Sequence, residues 1–200
     1  MQVRGAVVRA VGDKWTAETL ELADPGPGEV RIKVMASGGV ASPADPIDYV
    51  QYSMDELRAL VDEVTRANRY ALAHAYTAPA IARAVEAGVR TIEHGNFLDE
   101  ATAAQMAQAG AFLVPTLCTL YSVLLLGEKL GLSQKQRDEM KVNEPLWTGS
   151  IKAAYDAGVQ IASGGDLGNR YPHGDNAKEL SYLVQLGMKP MDVLRSATSI

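Results

Sequence analysis

Residues 69–96 read RYALAHAYTAPAIARAVEAGVRTIEHGN, and the two histidines within that stretch decide the fold. His74 and His94 each stand where a short apolar run gives way to a helix. Residues 70–75 have the pattern of a buried strand. Thr77 is positioned to cap the helix that follows, whose apolar face carries Ile81, Ala84 and Val85 and stops at Gly88. A second strand, Val89 to Glu93, then ends at His94. Two strands joined by one helix form a βαβ unit, in which they run parallel. Both imidazoles then lie at the carboxyl ends of parallel strands, the end at which α/β barrels keep their chemistry.

The unit repeats on both sides. Upstream, Ser53 and Glu56 have capping-box spacing, and Leu57, Leu60, Val61 and Val64 mark the buried face of a helix ending near Asn68. Downstream, Asp99 caps a helix through Ala109, Gly110 ends it, and AFLVPTL is the next strand. Pro115 follows His94 by 21 positions and His94 follows His74 by 20, so the chain advances one βα unit per repeat. Residues 118–159 read as two helices if the chain breaks only at Gly131 to Ser133, or as three if it breaks again at Glu144 and Pro145. Gln160 to Ser163 is a short strand leading into GGDLG, which sets Asp166 at the same end as the histidines. Residues 174–187 are helical, and Pro190 opens a last helix.

The amino-terminal residues have a different pattern. VRGAVVRAV, a turn at Gly12 and Asp13, and TAETLELA form a hairpin, followed by the loop DPGPGEV and the strand VRIKVMAS with Lys33 near its middle. GGVASPADP after it is a glycine- and proline-rich loop of the kind that covers a site. The expectation is a partial (β/α) TIM-type barrel of about five βα units over residues 29–200, preceded by a β-strand segment over residues 1–28. The chain has 200 residues, 47% of them hydrophobic, enough for a core. A complete eight-stranded barrel usually takes about 250.

A net charge of −5 and a pI near 5.2 leave no basic surface to neutralise phosphates, which argues against nucleic-acid partners. The single cysteine, Cys118, rules out an internal disulfide and a cysteine-rich zinc site. The longest apolar run, Ala111 to Leu126, is interrupted by Pro115 and is shorter than the roughly 20 residues a membrane span needs. MQVRGAVVRAVGDKW lacks the features of a signal peptide. The expected location is therefore cytoplasmic, with no membrane partner.

Lys33, His74, His94 and Asp166, in the wording KVMASGGVASPADP, HAYT, EHGNFLD and GGD, resemble the metal-binding residues of the amidohydrolase superfamily. PHGDNAKELSYLV and GMKPMDVLRSATSI extend the likeness, which is nearest to imidazolonepropionase-like and prolidase-like members and runs from about residue 31 to residue 200. Each motif alone is weak, but together and in this order they are specific. The resemblance implies a metal-dependent hydrolase of amide, cyclic amide or dipeptide bonds, with zinc the expected divalent metal. It implies metal ligation by Lys33 as a carboxylated lysine, His74, His94 and Asp166. Asp166 would relay the proton of a metal-activated water. Tyr76 would donate to the developing oxyanion, and His173 would contact a small-molecule substrate.

The chain departs from that family pattern in having no H-x-H pair, its histidines being His74, His94 and His173. The resemblance therefore implies a truncated barrel with at most one metal and weakened hydrolysis. An alternative from another class is a non-catalytic partial barrel that binds a metal or small molecule, or that self-associates as a homo-oligomer through its open edge. Residues 1–35 resemble the start of zinc-dependent medium-chain alcohol dehydrogenases, yet that family's cysteine ligand and any G-x-G-x-x-G after a strand are both missing.

Overall fold

The computed structural model describes residues 2–7, 16–21, 32–39, 45–129, 131–166 and 175–198. The chain divides into two units, Met1–Arg31 and Ile32–Ile200. In the first, β1 (Gln2–Val7) pairs antiparallel with β2 (Thr16–Glu21), Gln2 opposite Glu21 and Val7 opposite Thr16, as the hairpin pattern predicts. The turn at Gly12 and Asp13 and the loop DPGPGEV lie outside the described residues.

The second unit runs β3 (Ile32–Met35), α1 (Met54–Arg66), β4 (Ala71–Thr77), α2 (Ala78–Glu86), β5 (Thr91–Phe97), α3 (Glu100–Ala109), β6 (Phe112–Val114), α4 (Leu117–Leu126), α5 (Gln134–Asp156), β7 (Gln160–Ile161), α6 (Lys178–Gln185) and α7 (Pro190–Thr198). Its five strands form one parallel sheet in chain order, β3-β4-β5-β6-β7. Each step from strand to strand is bridged by at least one helix, the arrangement of a partial (β/α) barrel.

Local chemistry explains the element boundaries. Ser53 closes a capping box with Glu56 ahead of α1, and Asp99 accepts from the Thr102 N–H ahead of α3. Gly110 ends α3 with a φ of 65°, a backbone angle that suits glycine. One expectation is corrected, and one alternative left open is decided. The strand expected to stop at Glu93 continues to Phe97, with a bulge in its pairing to β4 between Ala75 and Thr77. Of the two readings of residues 118–159, the structure takes two helices: the chain does not break at Glu144 and Pro145, and α5 is continuous through Pro145. Pro145 is exposed, so water can serve the carbonyl its missing N–H leaves free, while buried Met140, Trp147 and Ile151 anchor the helix on both sides.

Strand alternation divides the sheet into two unlike faces. Val34, Ala73, Ile92, Leu113 and Ile161 share one face in register and are all buried; the helices cover it. Lys33, Leu72, Thr91, Phe112 and Gln160 share the other, as do Met35, His74, Glu93 and Val114, and much of that face is accessible, with Met35 44% exposed. No helix among the described residues is long and apolar enough to cross a membrane.

Ile92 lies at the centre of the helix-covered face with no exposure. Ile92→Ala is expected to lower unfolding free energy by about 2–5 kcal/mol in urea titrations. Val142→Ala, at a 76% exposed position on α5, is expected to shift it by no more than about 0.5 kcal/mol.

Candidate active site

His74 and Tyr76 project from the accessible face of β4, two residues apart. His94 is the in-register neighbour of Ala75, so strict alternation would send it toward the helices. Its φ of 79° and the adjoining bulge turn it back instead. Its ring then stands 4.5 Å from that of His74, edge-on, and stacks on Tyr76 at 5.0 Å. His74 and Tyr76 meet edge-on at 4.8 Å. The three rings form one cluster at the carboxyl end of the sheet, and both histidines are buried.

Left-handed backbone recurs in this cluster. Among the described residues, the non-glycine positions with positive φ are Asn68, His94, Thr116 and Asp166. Asn68 follows α1, His94 lies within β5, and Thr116 and Asp166 follow β6 and β7. Such angles cost about 1–3 kcal/mol each and persist where the surroundings impose them.

The surroundings centre on the first turn of α4. Thr116 Oγ1 lies 2.6 Å from His94 Nδ1. The Leu117 and Cys118 N–H groups, unpaired by the helix itself, donate to the carboxylate of Glu179 at 2.9 and 2.7 Å. The Thr119 hydroxyl donates to the carbonyls of Gly165, at 2.8 Å, and Asp166. On the other side, the Gly38 carbonyl lies 3.3 Å from His74 Nε2, and the Ser37 hydroxyl accepts the Tyr76 N–H.

Both imidazoles are held neutral. Burial pushes His74 down to about 4; the Gly38 carbonyl opposes that shift, the Lys33 ammonium adds to it and the Asp166 carboxylate offsets it in part. Burial lowers His94 well below the ordinary range, and His74 and Lys33 lower it further. Of the sequence-predicted residues, the structure brings His74, Tyr76 and His94 into contact, while Lys33 and Asp166 act only through their charges, Lys33 on both histidines and Asp166 on His74. Lys33 and Asp166 themselves are exposed. His173 lies outside the described residues. Among the described residues no three His, Cys, Asp or Glu side chains are grouped as a cation cage. The donor set suits a divalent metal all the same. His94 Nε2 is buried with no hydrogen-bond partner, and an imidazole giving its Nδ1 proton to Thr116 presents that Nε2 as a lone pair.

A cavity of 280 Å³ opens beside the cluster, lined by Tyr76, His94, Asn96, Phe97, Thr116 and residues of α4 and α5 including Trp147. Thr116, Glu179, Asn96 and Trp147 are site residues that the sequence reading passed over. Thr116 follows Pro115 at the same strand end as the histidines, and Glu179 interrupts the apolar stripe that contains Leu183. Those were the available signals.

A sequence model of the Amidohydrolase family matches residues 18–200. A prolidase solved in complex with N-methylphosphonate-L-proline is 45% identical, with a TM-score of 0.77 over 86% of this chain and 42% of that one. A Xaa-Pro dipeptidase with bound methionine is 32% identical, with a TM-score of 0.75 over 86% of this chain and 42% of that one. Ochratoxinase from Aspergillus niger is 33% identical over 169 residues, 84% of this chain and 34% of that protein. The chain spans less than half the length of each.

The depressed histidines set a pH dependence in metal-free protein. Their folded values lie below the ordinary 6.5, so the unfolded chain takes up protons first as pH falls. Stability is full above pH 6.5 and is lost as pH drops from there toward 4. Urea midpoints are expected to fall over that window, and to fall less in His94→Gln. Glu179→Ala is expected to cost about 1–3 kcal/mol for each N–H left without an acceptor, and to speed amide exchange at Leu117 and Cys118.

Proposed function

The chain belongs to the amidohydrolase family, and on that premise we propose that it is a metal-dependent hydrolase of carbon–nitrogen bonds, acting on amide, cyclic amide or dipeptide substrates. The observation that carries the reading is the buried imidazole pair, 4.5 Å apart, with His94 Nε2 unpartnered. The names of its relatives, prolidase and Xaa-Pro dipeptidase, support a peptide-like substrate.

In this reading His74 and His94 hold one cation, and Lys33, as its carbamate, and Asp166 supply oxygen donors. Neutral imidazole with carboxylate oxygen suits zinc. Bound there, the cation supplies a Lewis acid that brings the pKa of a water into the neutral range. Thr116 holds the His94 ring orientation and accepts the Nδ1 proton in the tautomer that ligation through Nε2 requires. Asp166, whose charge already acts on His74, accepts a proton and delivers it to the leaving nitrogen. The Tyr76 phenol, on a ring stacked against His94, donates to the developing oxyanion. His173 is assigned to substrate contact on its motif alone. With no H-x-H pair in the sequence, one cation and slow turnover are the proposal.

The accessible sheet face around Met35, Phe112 and Val114 favours a second reading, in which the chain binds a metal or small molecule without turnover and self-associates. Elemental analysis of purified chain incubated with zinc separates the two when joined to a dipeptide and N-acyl amino acid turnover screen. The hydrolase reading expects about one zinc per chain, its loss in both His74→Ala and His94→Ala, and zinc-dependent cleavage. Folded protein that takes up no zinc would sink it. Zinc uptake without cleavage, with a dimer or larger species in sedimentation, would favour the second.

A further inference from the structure

The helix α5 buries one side and leaves the other bare. Met140, Trp147, Ile151 and Ala154 face the chain's own core. Val142 and Gly149 lie on the opposite side, two turns apart, with Lys135 and Asp156 at the same spacing beyond them and all four exposed. Val142 is 76% exposed and Leu146, on the flank, 59%, so two large apolar groups stand in water at the middle of the helix. Gly149 is equally unexplained from within. A glycine inside a helix is destabilising because it gives up more backbone freedom than any other residue. No close approach within the chain accounts for it, because a Cβ built there meets no described atom within 4 Å. The missing side chain leaves room for something that arrives from outside.

The charges along this side indicate what arrives. Lys135 pairs with Glu139 and Lys152 with Asp156, so from the start of α5 to its end these pairs run positive, negative, then positive, negative. That order is its own complement when read backwards. A second α5 laid antiparallel, with a two-fold axis between Pro145 and Leu146, sets Lys135 opposite Asp156 of the second copy and Glu139 opposite its Lys152. The pairs at each end then join into a four-charge network, and networks contribute more than isolated exposed pairs. In the same register Val142 falls opposite Gly149 of the second copy, a side chain over the position that has no Cβ. Asp138 falls opposite Ala153 and Lys141 opposite Ser150, so no like charges meet. A parallel copy would instead place each of these charges against itself.

We propose that the bare side of α5 is the contact between two copies of this chain, packed antiparallel about a two-fold axis. Lys135 to Asp156 spans about 30 Å of helix, a contact at the small end of specific interfaces, so the dimer is weak and reversible. Its centre is the Val142 side chain seated on Gly149 of the second copy, twice over by symmetry, with Leu146 beside it. Contacts of this kind keep bridging water, which serves the Lys141 carbonyl left free by Pro145. The contact uses no residue of the accessible sheet face or of the histidine cluster, so the proposal is independent of the hydrolase reading.

Sedimentation velocity of the purified chain over a range of concentrations tests the contact. A dimer is expected with a dissociation constant below about 1 mM, weakening as salt is raised. Glu139→Lys alone and Lys152→Glu alone, each checked for native circular dichroism, are expected to weaken it at least about tenfold, because each homodimer then sets like charges together at both ends. An equimolar mixture of these two variants is expected to dimerise as the unsubstituted chain does, since between unlike copies every pair is complementary again. Glu139 and Lys152 stand roughly 20 Å apart along one helix, so no effect within a chain produces that recovery. Gly149→Leu fills open space in the single chain and is expected to keep the fold while abolishing the dimer. A chain that stays monomeric up to about 1 mM would overturn the proposal, as would single variants whose mixture does not recover. A dimer indifferent to all three substitutions would also overturn it and move self-association to the accessible sheet face.

Discussion

The hydrogen bonds at the first turn of α4 are the constraint on which the site depends. A helix start exposes N–H groups that need acceptors, and burying that start next to the sheet removes water as the supplier. Glu179 answers with a carboxylate from α6, fully buried and bonded to both Leu117 and Cys118. Burial raises the proton affinity of that carboxyl, while the two N–H groups act the other way. With the helix start fixed, Thr116 is fixed in its left-handed conformation, and its hydroxyl is fixed against His94 Nδ1. One turn thus links α6, the end of β5 and, through Thr119, the backbone that carries Asp166.

The same turn explains why unfavourable backbone angles accumulate here. A strand alternates its side chains, so consecutive residues cannot both reach one face without a break in the pattern. His74 and Tyr76 use the alternation; His94 has to break it, and the bulge with its positive φ is how it does so. The interactions that hold His94 in that state are its stack on Tyr76 and its contact with Thr116. Geometry that costs energy locally and is held by several neighbours is characteristic of a preorganised site.

What the sequence made legible follows from the range of the interactions involved. The capping of α1 by Ser53 and Glu56 and the stop of α3 at Gly110 are encoded within four residues, and both read correctly. The βα step was legible because apolar runs and helix faces repeat at a fixed interval, and that step set His74, His94 and Asp166 at one end. Pro145 left the helix count open because its helix-breaking tendency is local, whereas the packing of Met140, Trp147 and Ile151 that overrides it is tertiary. Glu179 and Trp147 were illegible for a related reason. A glutamate in a helix reads as solvated and a tryptophan as core until the partner 61 residues away, or the lack of one, is seen.

The site combines parts of unequal firmness. His94, Asn96 and Trp147 belong to β5 and to the helix packed on it, in the middle of the sheet, and are nearly inaccessible. Lys33 lies in β3, with four residues, and Asp166 in the segment that follows β7, with two; these are the outermost strands of the five, and both residues are exposed. Exposed charges at the outer edges of the sheet are screened by water and have many rotamers to lose, so they contribute affinity only after something at the centre repays their ordering. The imidazole pair and the cavity are already ordered and already desolvated. In the proposed reading, recognition would begin at the centre, where a ligand gains most for least reorganisation, and the lysine and aspartate would close on it second.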